Sequence, residues 1–516
     1  RRQRQMCIRD RKHINILLLG CCSLNFISCT DLTEEIFSDI TEDSYKYEAG
    51  DATKVVGAAY TNLQDWGYCG SGQAPMLSQE ICTDAAVFPA NGSGWDDGGV
   101  FRRMHQHSWN SEQLQVNRLW EVCYSGIILA NRAISIINQD DFPFAANENK
   151  AAMIAESRAL RAFYYWYIMD NFGDAPLVTE PTSELPVKTS RKDLYDFIVK
   201  ELKESFSDLP TEKNESNYGR FTLWGAKALL ANVYLNAEVY TGTPQWSAAA
   251  EYSKKVMDAG FSLAPNYGDN FLADNNTSPE MILPICYDGV QTRSWSGLFF
   301  IASFISGDMN ALVDFGTKEA WGGNRARMAL VKKFASDGDL SKTTDTRASF
   351  WTTDRTFEIN KPTEFTEGYS VTKFKNITKS GQIGHDPNQQ FPDMDFPLFR
   401  LAEANLTFAE ATLRAGGDKQ AALSAINQLR KRAKATEITA TDLTLDFVLD
   451  EKAREFYFEA QRRTDLIRYN KFTSNYTWDW KGETAGGTSI SSHFSLLPIP
   501  STQLVANSNL KQNPGY

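Results

Sequence analysis

The sequence predicts a mainly α-helical protein built from paired helices, with long irregular loops between the pairs carrying the ligand site. Three observations lead there. Apolar residues return at three- and four-residue steps over many segments, the spacing that lines one face of a helix. Two segments repeat a pattern of helix, short polar turn and second helix, with alanines on the facing sides. Residues 66–118 and 262–397 are instead rich in Gly, Asn, Asp, Ser, Thr and aromatics, with little periodicity. Loops that long inside a compact domain are usually functional.

The N-terminal region comes first in the chain. Ile14–Ile27 is apolar but interrupted by Gly20, Ser23 and Asn25, and a bilayer core needs roughly 18–20 consecutive apolar residues. The run is too short to span. It follows Arg11 and Lys12 and ends in "FISC", the layout of an export signal cut before a cysteine; the tetrapeptide resembles a bacterial lipobox. Arg1–Arg11 resembles a translated sequencing adapter. Residues 1–28 are therefore read as an adapter-like head plus lipoprotein signal peptide, and Cys29 as the lipidated, palmitate-bearing residue. Residues 29–45 form its polar tether and 46–516 a single globular domain, with an N-terminal part of about 46–215 and a C-terminal part of about 216–516.

Helical periodicity predicts helices over Trp120–Asn138, Ala151–Phe172, Asp193–Phe206, Phe221–Tyr240, Ser247–Ala259, Leu398–Arg414, Lys419–Ala433 and Asp446–Tyr469. "GAKALLANVYLNAEVY" leads across "TGTPQ" into "WSAAAEYSKKVMDAG", and "LAEANLTFAEATLRAG" leads across "GD" into "KQAALSAINQLRKRA". Both resemble tetratricopeptide-type hairpins, which bury their faces by stacking on neighbours.

Charge excludes some partners. Residues 1–28 hold six Arg or Lys and one Asp, leaving 47 basic against 63 acidic side chains, a balance near −16. Such a surface repels nucleic-acid phosphates and anionic lipid. Cys69, Cys82, Cys123 and Cys286 lack zinc-ligand spacing and are read as buried free thiols, and five histidines leave little material for a histidine-based centre. No metal or other cofactor is expected; the Asp/Asn loop 273–280 is the one place where calcium comes into question, since calcium takes several oxygen ligands, and an unoccupied turn is the reading there.

Glu451, Glu455 and Glu459 fall at i, i+4 and i+8, hence on one helix face. A glycosidase needs a carboxylate pair roughly 5–9.5 Å apart, but Arg454, Arg462, Arg463 and Arg468 flank these three. They are read as scaffold ion pairs. Arg158 and Arg161 are likewise read as ties between helices.

Six ordered blocks carry a family resemblance: Arg158–Val178, Gly219–Leu235, Phe396–Ala411, Ile426–Ala433, Asp450–Tyr469 and Leu496–Tyr516. They resemble the hallmark blocks of the RagB/SusD family. "LADN", "ILPICYDGVQTRSWSG", "ARMALVKKF" and "TSNYTWDWKGETAGGTS" are further similar to the family's starch-binding member. The resemblance implies a non-catalytic, surface-exposed lipoprotein of the outer membrane. It would bind starch or malto-oligosaccharides and deliver them to a TonB-dependent transporter of the SusC type. Another polysaccharide is the alternative within that class; a helical glycoside hydrolase and a transporter lid without sugar contact are the alternatives outside it.

Sugar rings offer apolar CH faces and hydroxyl edges, which aromatic plates and polar side chains respectively match. The resemblance places plates at Trp295 and Trp321, and by neighbourhood at Trp95. Asn91 and Asp96 lie beside Trp95 as hydroxyl partners, with Gln73 near a position where the family member has Arg. Each aromatic contact is worth roughly 0.5–1.5 kcal/mol beyond area burial, so three plates imply an affinity on the order of micromolar to millimolar. Trp478 and Trp480 are read as packing residues.

Overall fold

The computed structural model describes residues 45–65, 77–88, 97–180 and 182–516. Cys29, Cys69, Gln73, Asn91, Trp95 and Asp96 lie outside the described residues. Tyr47–Tyr516 form one compact unit.

Several helices start where a polar side chain satisfies one of their unpaired N–H groups. Asn149 caps helix Lys150–Phe172, Ser190 caps Arg191–Ser205, Thr222 caps Leu223–Leu235, Asp418 caps Lys419–Arg432 and Thr444 caps Leu445–Phe456. Consecutive helices then pack in pairs. Leu114–Ile137 lies against Lys150–Phe172, with Asp51–Thr61 across both, and Lys150–Phe172 also packs on Arg191–Ser205. Further along, Leu223–Leu235 packs on Trp246–Met257, which packs on Leu401–Arg414, which packs on Lys419–Arg432.

Small residues make these approaches possible. Ala155, Ala159, Ala162, Ala226, Ala231, Ala402, Ala409, Ala422 and Ala425 are all buried between helices. Gly126 is the closest approach: a Cβ there would sit 2.2 Å from Tyr164 Cζ. Tyr164 cannot retreat easily, because its hydroxyl donates to the Ala59 carbonyl at 2.7 Å.

Helix Leu114–Ile137 begins six residues ahead of the expected Trp120, and three further boundaries depart from the periodicity. The run expected from Phe221 to Tyr240 breaks at Asn236, whose amide donates to its own helix at the Asn232 carbonyl while its Oδ1 takes Arg468. Leu398–Arg400 is strand rather than helix, since Phe396–Arg400 pairs antiparallel with Met281–Ile285. That pairing joins segments far apart in sequence, and no local pattern announces it. The run expected from Asp446 to Tyr469 ends at Phe456 and resumes at Arg462, with Phe458 and Ala460 at positive φ between. Glu459 therefore lies beyond the helix that carries Glu451 and Glu455.

The three glutamates are nonetheless drawn into one buried ionic core. Arg400 donates to Glu280 at 2.8 Å, Glu455 at 2.6 Å and Glu459 at 2.7 Å. Arg347 pairs with Glu455 at 3.0 Å and Glu451 at 2.8 Å, and Lys373 with Glu459 at 2.6 Å. The partners thus come mostly from distant segments. Of the four arginines expected beside these acids only Arg454 pairs with one, Glu451 at 2.7 Å. Arg462 pairs with Asp84, Arg468 with Glu410, and Arg463 donates to the Ser495 carbonyl. Arg158 and Arg161 do tie helices: both reach Glu201 on Arg191–Ser205, at 3.0 and 2.9 Å.

Candidate glycan-binding site

Trp295 and Trp321 come together beside one short helix, Trp295–Ala302, which carries the first and anchors the loop of the second. Ser294 caps its start, accepting from the Ser296 N–H at 3.2 Å, and donates from its hydroxyl to the Gln64 carbonyl at 3.3 Å. Trp295 is thereby held at the helix mouth. At the other end Trp321 N–H donates to the Ala302 carbonyl at 2.8 Å and Asn324 N–H to the Ser303 carbonyl at 3.1 Å. Both indoles are half-buried. Their ring centroids are 6.3 Å apart and their planes inclined by 30°.

A third ring joins them that the sequence did not single out. Phe391 lies 4.9 Å from Trp295 at 67°. It reaches that place because the following Pro392 packs where Gly297 has no side chain; a Cβ on Gly297 would be 2.8 Å from Pro392 Cγ. Beside the rings sits a polar edge. Glu319 accepts from Trp321 Nε1–H at 3.2 Å and from the Gln390 amide at 3.3 Å. Asp386 stands behind Phe391. Burial works to raise its pKa, but the N–H groups of Phe391, Asn388 and Gln390, with Arg293 nearby, hold the carboxyl below its ordinary range.

The arrangement is a bent aromatic surface flanked by hydrogen-bonding groups, suited to a ligand with apolar faces and hydroxyl edges. Phe391, Glu319 and Gln390 carry no local signal in the sequence; they lie in Gly/Asn/Gln-rich loops and become neighbours of Trp295 only through the fold.

The other expectations find their places away from this surface. Trp478 is 3 % exposed and packs in the core against His107, Phe472 and Tyr476, and Trp480 donates its indole N–H to the Ile359 carbonyl at 2.6 Å. Cys82 and Cys123 are buried free thiols; Cys286, also free, is only half-buried. In loop 273–280, Glu280 is committed to Arg400 and to Arg432 at 3.0 Å. Asn275 exchanges hydrogen bonds with the Asp395 backbone at 2.8 and 3.0 Å. Among the described residues no helix is long and apolar enough to cross a membrane, and no cluster of three or more His, Cys, Asp or Glu side chains is placed to hold a metal.

Comparison with known proteins agrees with this architecture. The family described as "SusD family" matches residues 316–516, and the one described as "Starch-binding associating with outer membrane" matches residues 37–235. The chain is 37 % identical over 409 residues to the starch-binding protein SusD of Bacteroides thetaiotaomicron, covering 70 % of this chain and 72 % of that protein. It is 26 % identical over 526 residues to SusD-like protein P2 of Formosa agariphila, covering 96 % and 98 %. Among solved structures, a laminarin-binding SusD-like protein superposes with a TM-score of 0.74 at 21 % identity, over 91 % of this chain and 100 % of that one. The scaffold is thus that of a glycan-binding class of proteins. The chain belongs to the SusD family, whose members bind glycans without cleaving them, so it is a binding protein and not an enzyme.

Proposed function

We propose that the protein captures starch-type α-glucans, malto-oligosaccharides included, on the Trp295–Trp321 surface and passes them to a SusC-like TonB-dependent transporter in the outer membrane. The observation that carries the reading is the 6.3 Å spacing and 30° inclination of the two indoles. Successive sugars of a curved glucan present their apolar faces at a changing angle, and a pair of inclined plates meets two of them. The relationship to a starch-binding protein at 37 % identity supports the α-linked choice. Trp95, with Asn91, Asp96 and Gln73, supplies the third plate and further hydroxyl contacts in this reading. Loop 273–280 serves as a turn without calcium.

Curvature alone also suits β-1,3-glucans, and a protein of similar fold, surface glycan-binding protein A of Bacteroides thetaiotaomicron, is solved in complex with laminarihexaose. Isothermal titration against maltoheptaose, pullulan, laminarihexaose and cellohexaose decides between them. Heat with the two α-glucans is expected; no heat with either overturns the starch assignment. For the anchor, lipid on Cys29 would hold the protein at the cell surface. Replacing Cys29 with Ala should abolish palmitate labelling and release the protein from the membrane fraction, and unchanged labelling would remove Cys29 from that role.

A further inference from the structure

The loop that carries Phe391 and Gln390 is organised around one carboxylate. Asp386 is 2 % exposed. It accepts from Asn388 N–H at 3.0 Å through Oδ1, and from Gln390 and Phe391 N–H at 3.0 and 2.9 Å through Oδ2. Between them Gln389 takes a φ of 56°, a left-handed conformation that costs a side-chain-bearing residue energy and persists only where the surroundings hold it. The holding bonds are visible. Gln389 N–H donates to the Asp386 carbonyl at 2.9 Å, and the Gln389 carbonyl accepts from Lys318 N–H at 2.9 Å and the Thr317 hydroxyl at 3.3 Å.

The other side of the loop is braced as well. Asp393 accepts from Gly289 N–H at 2.9 Å, and its own N–H donates to Asn376 Oδ1 at 2.9 Å. The backbone that carries Phe391 therefore cannot move away from Trp295 without breaking these hydrogen bonds, the ring itself rests on Trp295, and Gln390 is presented to Glu319 by the same turn. A ring fixed at 67° to a plate is an obstacle to a chain that runs straight and flat across it. A chain that curves avoids the obstacle and gains a third apolar contact.

We propose that Asp386 is a positioning residue of the glycan site, and that Phe391 with Gln390 forms the specificity-determining edge it holds, favouring glucans that curve across Trp295 and Trp321 over straight β-1,4-linked chains. The proposal rests on the reading of this surface as a glucan platform. Its energetic basis is pre-organisation: a contact already fixed in the free protein costs little ordering on binding.

The test titrates maltoheptaose and cellohexaose into the wild type and into Asp386→Ala, Asp386→Asn, Phe391→Ala and the Asp386→Ala/Phe391→Ala double variant, with melting curves and near-ultraviolet circular dichroism alongside. Asp386→Ala should weaken maltoheptaose binding about three- to tenfold, the worth of one aromatic contact, and alter the tryptophan dichroism. Asp386→Asn, which keeps an acceptor oxygen, should recover part of the loss. Phe391→Ala should narrow the preference for maltoheptaose over cellohexaose, and adding Asp386→Ala to it should cost less than Asp386→Ala costs in the wild type. A lowered melting temperature with unchanged affinity and dichroism in Asp386→Ala overturns the positioning role. Should that variant not fold, Phe391→Ala still decides the edge: an unchanged preference overturns it. Wild type that binds neither sugar, nor laminarihexaose, overturns the glucan platform itself.

Discussion

Trp321 donates its indole N–H to Glu319, and the same carboxylate takes the amide of Gln390. One acid therefore links a plate to the loop that carries Phe391. Removing a plate should cost the ligand one stacking contact. Trp295→Ala and Trp321→Ala are each expected to weaken maltoheptaose binding by about 0.5–1.5 kcal/mol, a few-fold to tenfold in Kd, with melting temperature little changed. Titration calorimetry on the two variants measures it, and wild-type affinity in both would remove the rings from the site.

Glu319→Gln keeps the shape and one acceptor oxygen but removes the charge. The indole and the Gln390 amide donate to different oxygens of Glu319, so one of them loses its acceptor and the other keeps a neutral bond roughly half as strong as the charge-assisted one. A loss of about two- to fivefold in glycan affinity is expected, smaller than that of either tryptophan variant. Fluorescence titration with malto-oligosaccharides checks the order.

Glu455 belongs to stability. It is buried with Arg400, Arg347 and Arg432 around it. Glu455→Ala leaves guanidinium charge uncompensated in the interior, a defect costing roughly 3–5 kcal/mol. Chemical denaturation should show that loss, and glycan affinity measured at a temperature where the variant remains folded should be unchanged.

The pH dependence of stability has two opposed arms. Burial would raise Glu451 and Glu410, but Arg347, Arg454 and Arg430 around the first, and Arg468, Lys452 and Arg414 around the second, bring each from 4.5 down to about 2. Their contribution is fully present above the unfolded value of 4.5 and is lost as pH falls toward 2. Burial pushes Glu80 up to about 8 and Glu403 up to about 7. The unfolded chain releases those protons from about pH 4.5 upward, so stability declines as pH rises through 7 to 8. Melting curves should peak near pH 5 and fall on both sides; a stability that rises steadily from pH 5 to 8 would contradict the burial of these acids.

Gly126→Ala tests the closest helix approach. The new methyl would overlap the Tyr164 ring, and overpacking of a well-filled core typically costs about 1–3 kcal/mol. A melting temperature equal to wild type would mean that the two helices can part freely.

Much of the scaffold was legible beforehand because it is local. Helices Lys150–Phe172, Arg191–Ser205 and Lys419–Arg432 fall within a residue or two of their periodic patterns. The errors occurred where distant partners decide the backbone. Leu398–Arg400 reads as helix until Met281–Ile285 is laid beside it. Glu459 reads as the third of a helical row until Phe458 and Ala460 turn the chain and Arg400 collects the carboxylate.

The candidate site divides in the same way. Trp295 and Trp321 stood out only through family resemblance, since a large aromatic in such a segment packs into the core as readily as it faces a ligand. Phe391, Gln390, Glu319 and Asp386 did not, because nothing in their own neighbourhoods distinguishes them from ordinary loop residues. By itself the sequence determined the helical pairs, the acidic balance and the residue types available to meet a sugar, all properties of periodicity and composition. The tertiary structure alone decided which rings stand side by side, at what angle, and which carboxylates are ion-paired deep inside. Those are relations between segments far apart in the chain, and only packing brings them within reach of a hydrogen bond or a van der Waals contact.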